Sequence, residues 1–139
     1  LDYQAEETQN AVASTAQINV NLNPEETRDL LEEVPKAYKT QINDILLTAL
    51  LQTFNQWTTL PSVLIDLEGH GREDLFSDVD LSRTVGWFTT IFPVLLKLDN
   101  NRNLEVIIKS VKVQLRQIPA RGLGYGLLRY PGQTHLKLS

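Results

Sequence analysis

The sequence predicts an α/β fold, a sandwich in which helices lie over a sheet, from the order strand, helix, helix, strand, strand, helix, loop. Three observations carry that prediction. "PSVLIDLE" alternates apolar and polar residues with the period of a strand, and "NLEVIIKSVKVQLRQI" repeats apolar residues at three- and four-residue steps. Between the first predicted strand and the second, "NPEETRDLLEEV" carries a complete helix-start signature.

Taken in order, Leu1 to Thr15 has no sustained period and reads as a loop or frayed lead-in. "AQINVNL" sets Ile18, Val20 and Leu22 against Gln17, Asn19 and Asn21, the pattern of a half-buried strand. In the next segment Asn23 serves as N-cap, Pro24 fits the first helical position, and Glu26 stands where a capping box needs it. Leu30, Leu31 and Val34 form the apolar stripe of that helix, and Pro35 is expected to stop it. A second helix is predicted over Thr40 to Trp57, with Ile42, Ile45, Leu46, Ala49, Leu50 and Phe54 as its stripe. Leu47 and Leu51 widen the stripe, so burial on most sides is expected.

"PSVLIDLE" turns Val63, Ile65 and Leu67 to one face and Leu64, Asp66 and Glu68 to the other. If the extension lasts, His70 joins the side of Glu68. "GREDLFSDVDLSR" is a polar connection, and "TVGWFTTIFPVLLKL" is too rich in β-branched and aromatic residues to prefer helix, giving one or two strands around Pro93. The last helix places Leu104, Ile107, Ile108, Val111, Leu115 and Ile118 on one face, with Glu105 and Lys109 as an outer pair and Pro119 as its end. Lys112 and Arg116 suit the negative end of its dipole. The tail reads as a Gly-rich loop leading to a short strand at Leu127–Tyr130.

Composition narrows the function classes. The 139 residues are one domain's worth, with 42% hydrophobic and 22% charged side chains. A net charge of −4 argues against a general nucleic-acid binder, which needs clustered Lys and Arg. No apolar run approaches the roughly 20 residues of a membrane span. The first fifteen residues are polar and acidic, unlike a signal peptide, and a cytoplasmic location is expected. The absence of cysteine excludes thiolate chemistry, and with only His70 and His135 a His-rich metal site is not expected, nor any other metal. The absence of any methionine reads as a piece excised from something longer.

The candidate site is "EGHGRE", Glu68 to Glu73, directly after the second strand. Flanking glycines let the backbone bend and carry polar side chains from a strand end into a cleft. A carboxylate there, partly desolvated, gains a pKa nearer neutrality and exchanges protons. The other reading is a strand-to-loop junction in which Glu68 pairs with Arg72 or Arg83, and spacing alone leaves both open. Gly122, Gly124 and Gly126 follow a helix and lack a Gly-Lys-Ser/Thr, so a structural loop with positive φ is expected there rather than a phosphate loop. Trp87, Phe88 and Phe92 read as core or as the lining of a pocket. His135 has no identifiable role, and no Ser-His-Asp set emerges.

Three segments together, "EGHGRE" at Glu68–Glu73, "RTVGWFTTIFP" at Arg83–Pro93 and "PARGLGYG" at Pro119–Gly126, resemble successive signature motifs of nonribosomal peptide synthetase epimerization domains. "NDILLTAL" at Asn43–Leu50 resembles the helix motif that precedes them, so the resemblance covers about residues 40–126. It implies membership of the condensation-domain superfamily, in which two chloramphenicol-acetyltransferase-like halves form a V around a tunnel. Each half is a two-layer sandwich, a mixed sheet with helices packed on it. It implies inversion of the α-carbon of an aminoacyl or peptidyl thioester held on the phosphopantetheine arm of a carrier domain, with no cofactor bound directly. The family uses the second histidine of an HHxxxDG motif from the first half and the first glutamate of the "EGHGRE" motif, here Glu68. His70, Arg72 and Trp87 are then candidates for orienting that glutamate or shaping the pocket.

Three departures stand out. HHxxxDG is absent from these residues, so is the family's later Phe-Asn-Tyr-Leu-Gly motif, and Phe92 stands where the family has tyrosine. The resemblance thus implies that residues 1–139 are the C-terminal half alone, inactive by itself. Its partners would be the N-terminal half and the carrier, and an uncovered apolar surface would favour self-association. The rival readings are an amide-forming condensation domain of the same fold and a non-catalytic docking half.

Overall fold

The computed structural model describes residues 12–74, 77–99 and 103–130. Its centre is a pair of antiparallel strands, β1 (Ser62–Gly69) and β2 (Thr90–Lys97), in continuous register from Ser62 opposite Lys97 to Gly69 opposite Thr90. Residues directly opposite share a face, so the register sorts the side chains into two sets. Val63, Ile65 and Leu67 face the same way as Leu96, Val94 and Phe92, and this set packs against Leu51, Ile107 and Val111 of two helices. Leu64, Asp66 and Glu68 share the other face with Leu95, Pro93 and Ile91, and all six are exposed. Among the described residues the sheet is this antiparallel pair, where a mixed sheet was expected.

The helix-start signature at Asn23 holds in detail. The Asn23 side chain accepts from the Glu26 N–H at 2.9 Å, and the Glu26 carboxylate accepts from the Asn23 N–H at 2.8 Å. The helix does not stop at Pro35. It runs from α1 (Pro24–Arg28) through a π turn (Asp29–Glu33) into α2 (Val34–Tyr38). The Val34 N–H reaches back to the Asp29 carbonyl, one residue further than in an α-helix. That widened turn comes directly before the proline, which can give no N–H of its own. Lys39, in the left-handed region at φ 50°, closes the segment.

α3 (Ile42–Thr58) sits where predicted, but its buried ridge is Asp44, Thr48 and Leu51. The predicted stripe is only partly buried, and Leu46 and Ala49 are exposed. The helix is rotated because Asp44 is drawn inward by a partner on the next helix, and the Thr48 hydroxyl is satisfied by the Asp44 carbonyl at 2.6 Å.

α4 (Leu104–Arg116) buries Ile107, Ile108 and Val111 as its period requires, while Leu104 at its first turn stays exposed. The predicted Glu105–Lys109 pair forms on its outer side. After it a short 3-10 turn (Pro119–Gly122) leads into α5 (Tyr125–Arg129), a single helical turn where a strand was expected. The Leu128 and Tyr130 N–H groups donate to the Gly124 and Gly126 carbonyls, which satisfies this backbone locally without a neighbouring strand.

"AQINVNL" forms no strand either. Ile18 and Val20 are almost wholly exposed, because among the described residues no strand edge lies beside them to pair with. Most of the predicted lead-in loop, residues 1–11, lies outside the described residues, as does His135.

Candidate active site

β1 delivers Glu68 to the end of the sheet. Its side chain lies on the uncovered face, opposite Ile91, one pair before the ladder ends at Gly69 and Thr90. It makes no hydrogen bond or ion pair among the described residues. The pairing of Glu68 with Arg72 or Arg83 that sequence left open does not form. Nor does this chain supply the desolvation on which the proton-exchanging reading relied, since Glu68 is exposed.

The rest of the motif is engaged. Gly71 takes φ 65°, and a Cβ there would land on the Phe88 carbonyl, so only glycine lets the two segments close together. The Arg72 guanidinium donates to the Leu81 carbonyl at 2.6 Å and lies 4.2 Å above the centre of the Phe88 ring. His70 Nδ1 accepts from the Arg72 backbone N–H at 3.0 Å, and its Nε2 stands 3.3 Å from the Glu73 carboxylate. Glu73 also faces the Arg121 Nε at 3.5 Å. Gly122, at φ 79°, packs flat on the Phe92 ring, where a Cβ would overlap ring carbons.

Segments far apart in sequence, Glu68–Glu73, Arg83–Pro93 and Pro119–Gly126, thus meet at one end of the sheet. Of the residues singled out in sequence, Glu68, His70 and Phe92 line an open cleft of about 620 Å³ at that end. Leu47, Leu67, Phe92 and Leu115 form its apolar side, and Asp44, Arg116, Glu73 and Arg121 are among its polar groups. Arg72 and Trp87 do not line it. Arg72 is spent on Phe88 and Leu81, while Trp87 stands 91% exposed in the connection before β2. Phe92 belongs to the core as well as to the cleft wall. Only Gly122 of the three tail glycines needs a positive φ; Gly124 is right-handed at φ −77°.

Three contacts lining the cleft escaped sequence reasoning. Asp44, buried at the start of α3, caps Gln41 and forms a two-pronged pair with Arg116 of α4 at 3.1 and 3.3 Å. Glu73 and Arg121 join two motif segments, and Glu73 also meets His70. No period in the chain marks such pairs; their only signal was that each glutamate and arginine falls in or beside a motif. Among the described residues no group of three or more histidines and carboxylates is placed to hold a metal, and no helix is long and apolar enough to cross a membrane.

Comparisons with known proteins agree with the motifs. The chain is 53% identical over 121 residues to chondramide synthase CmdD of Chondromyces crocatus, covering 87% of this chain and 3% of that protein. It is 51% identical over 113 residues to bacitracin synthase 2 of Bacillus licheniformis, covering 81% of this chain and 4% of that one. In structure it is similar, with a TM-score of 0.72 and 44% identity, to the epimerization domain from the third module of tyrocidine synthetase B, over 78% of this chain and 24% of that one. The chain therefore spans only a small part of the proteins it matches. A family model described as the condensation domain matches residues 1–137, and the chain belongs to that family.

Proposed function

We propose that residues 1–139 form the C-terminal half of a nonribosomal peptide synthetase epimerization domain, and that Glu68 is one of its two acid/base groups. The substrate is an L-aminoacyl or peptidyl thioester on the phosphopantetheine arm of a carrier domain, and the product is its D form. Glu68 stands ready to take or return the α-proton on one face. As the proton leaves, the C–H electron pair moves into the thioester carbonyl to give an enolate. A second group across the tunnel delivers a proton to the opposite face, and the carbonyl re-forms. The observation that carries the reading is the contrast within the motif: Glu68 is exposed and unpartnered at the strand end, while His70, Arg72 and Glu73 are all engaged.

The N-terminal half is the partner that would close over the uncovered face, where Leu64, Ile91 and Leu95 stand beside Glu68. Closure would remove water from that carboxylate, which this chain alone leaves exposed. The isolated half then lacks both a second proton-transfer group and a tunnel wall; it is inactive by itself and prone to self-association through that face. His70 and Arg72 shape the strand end, and no cofactor is needed beyond the carrier's arm. The reading carries a cytoplasmic location with it.

The test uses the intact two-half protein with a loaded carrier, following deuterium wash-in at the α-carbon. Glu68→Gln is expected to lower exchange by about 10²–10⁴-fold. Undiminished exchange would make Glu68 structural and favour a docking module. Peptide-bond formation between two loaded carriers without α-exchange would instead assign an amide-forming condensation domain. The 44% identity to a solved epimerization domain supports the first outcome.

A further inference from the structure

We infer that Glu73 is a positioning residue, clasping the loop after β1 to the Pro119–Gly122 turn and so holding Glu68 in place. The inference rests on the reading of Glu68 as an acid/base group.

Glu73 differs from Glu68 in every respect that matters. Its side chain is only 18% exposed, and its two oxygens are divided between two partners, Oε1 towards His70 Nε2 and Oε2 towards Arg121 Nε. His70 Nδ1 already accepts the Arg72 N–H, so in the neutral ring the proton sits on Nε2, the nitrogen that faces Glu73. Both ring nitrogens are occupied, and His70 is a strut rather than a free base.

Arg121 closes the circuit. It lies in a turn where Ala120 and Arg121 have left-handed φ of 43° and 48°, followed by Gly122 at 79°. The carbonyl of this same Arg121 lies within 3.6 Å of where Gly69 would carry a side chain, and Gly69 is the residue after Glu68. The path therefore runs from Glu68 through Gly69 and the loop to Glu73, across to Arg121, and back onto Gly69. Among the described residues no group anchors the Glu68 side chain itself, so its position depends on this frame.

The clasp does little for stability. Arg121 is 65% exposed and His70 59%, and ion pairs so open to water contribute little to folding. Its effect belongs in the placement of the reacting group, where a displacement on the order of 1 Å costs about 10²-fold.

The experiment uses the intact two-half protein and a loaded carrier, comparing Glu73→Gln, Arg121→Gln, the double variant and Glu68→Gln. In each single clasp variant kcat for α-proton exchange is expected to fall about tenfold or more, with KM within about twofold. The double variant should fall no further than the worse single one, because the two residues act as one unit. The thermal midpoint should move by less than about 3 °C. Backbone amides 69–73 should exchange hydrogen faster in Arg121→Gln, a readout independent of activity. Should Glu73→Gln fail to fold, Arg121→Gln decides, since its side chain is turned to solvent. A kcat within about twofold of wild type, or a rise in KM in place of a fall in kcat, overturns the inference. Exchange lost in Glu68→Gln but kept in Arg121→Gln overturns the clasp alone; exchange kept in Glu68→Gln overturns both the reading and the clasp.

Discussion

Both faces of the β1–β2 pair carry large apolar side chains, yet only one of them is packed against helices. On one, Phe92, Val94 and Leu96 are buried against Leu51, Ile107 and Val111. On the other, Leu64, Ile91 and Leu95 are as apolar but stand open, with Glu68 among them. Alternation alone assigns residues to faces and does not tell which face the chain covers for itself. The helix-covered face holds the fold together, and the open one is the face proposed to receive a partner lobe.

The largest stability effect that tests this contrast comes from its extremes. Leu96→Ala should destabilise the domain by about 3 kcal/mol in chemical denaturation, through lost burial and the cavity left behind. Leu64→Ala, at a position 67% exposed, should change stability by no more than about 0.5 kcal/mol and should reduce self-association in light scattering. Equal losses at the two positions would break the comparison.

A middle effect lies where the covered face meets the cleft. Arg116→Ala leaves the Asp44 carboxylate, 3% exposed, without its partner. Removing one member of a fully buried pair costs about 3–5 kcal/mol. With the Arg116 side chain 45% exposed, about 2 kcal/mol is the expected loss by the same denaturation measurement.

The smallest effect belongs to neither face. Asp80, in the long connection, accepts a hydrogen bond from the Ser82 backbone N–H, and this, with the Ser82 side chain, holds its carboxyl below the ordinary carboxylate range. A depressed folded-state pKa stabilises above the unfolded value and ceases to do so as pH falls through the folded one. The thermal midpoints of wild type and Asp80→Ala should therefore differ slightly at neutral pH and converge below about pH 4.

Much of this architecture was legible in the sequence where it depends on local period. The strand "PSVLIDLE", the faces of Val63 and Leu64, the helix at Leu104–Arg116 and the capping box at Asn23 all follow from neighbours within a few residues. What failed depended on distant groups. "AQINVNL" has a strand's alternation but, among the described residues, no strand beside it, and α3 is turned by Asp44 reaching an arginine 72 positions away. The tail forms a helical turn packed beside β2, its backbone satisfied by Gly124 and Gly126 carbonyls, where a strand was expected. At the site, the motif located Glu68 and His70, yet Glu73 and Arg121, which bind the segments together, share no spacing that a linear reading detects.

The turn at Ala120–Gly122 winds against the chain's preferred hand, directly after a right-handed helix. Its shape is written in backbone torsions and in the flat contact of Gly122 with Phe92, neither of which responds to salt or to protonation. It is therefore the anvil of the arrangement, and in brine it is the hammer that weakens: salt screens the Glu73–Arg121 contact while the surface it rests on keeps its form.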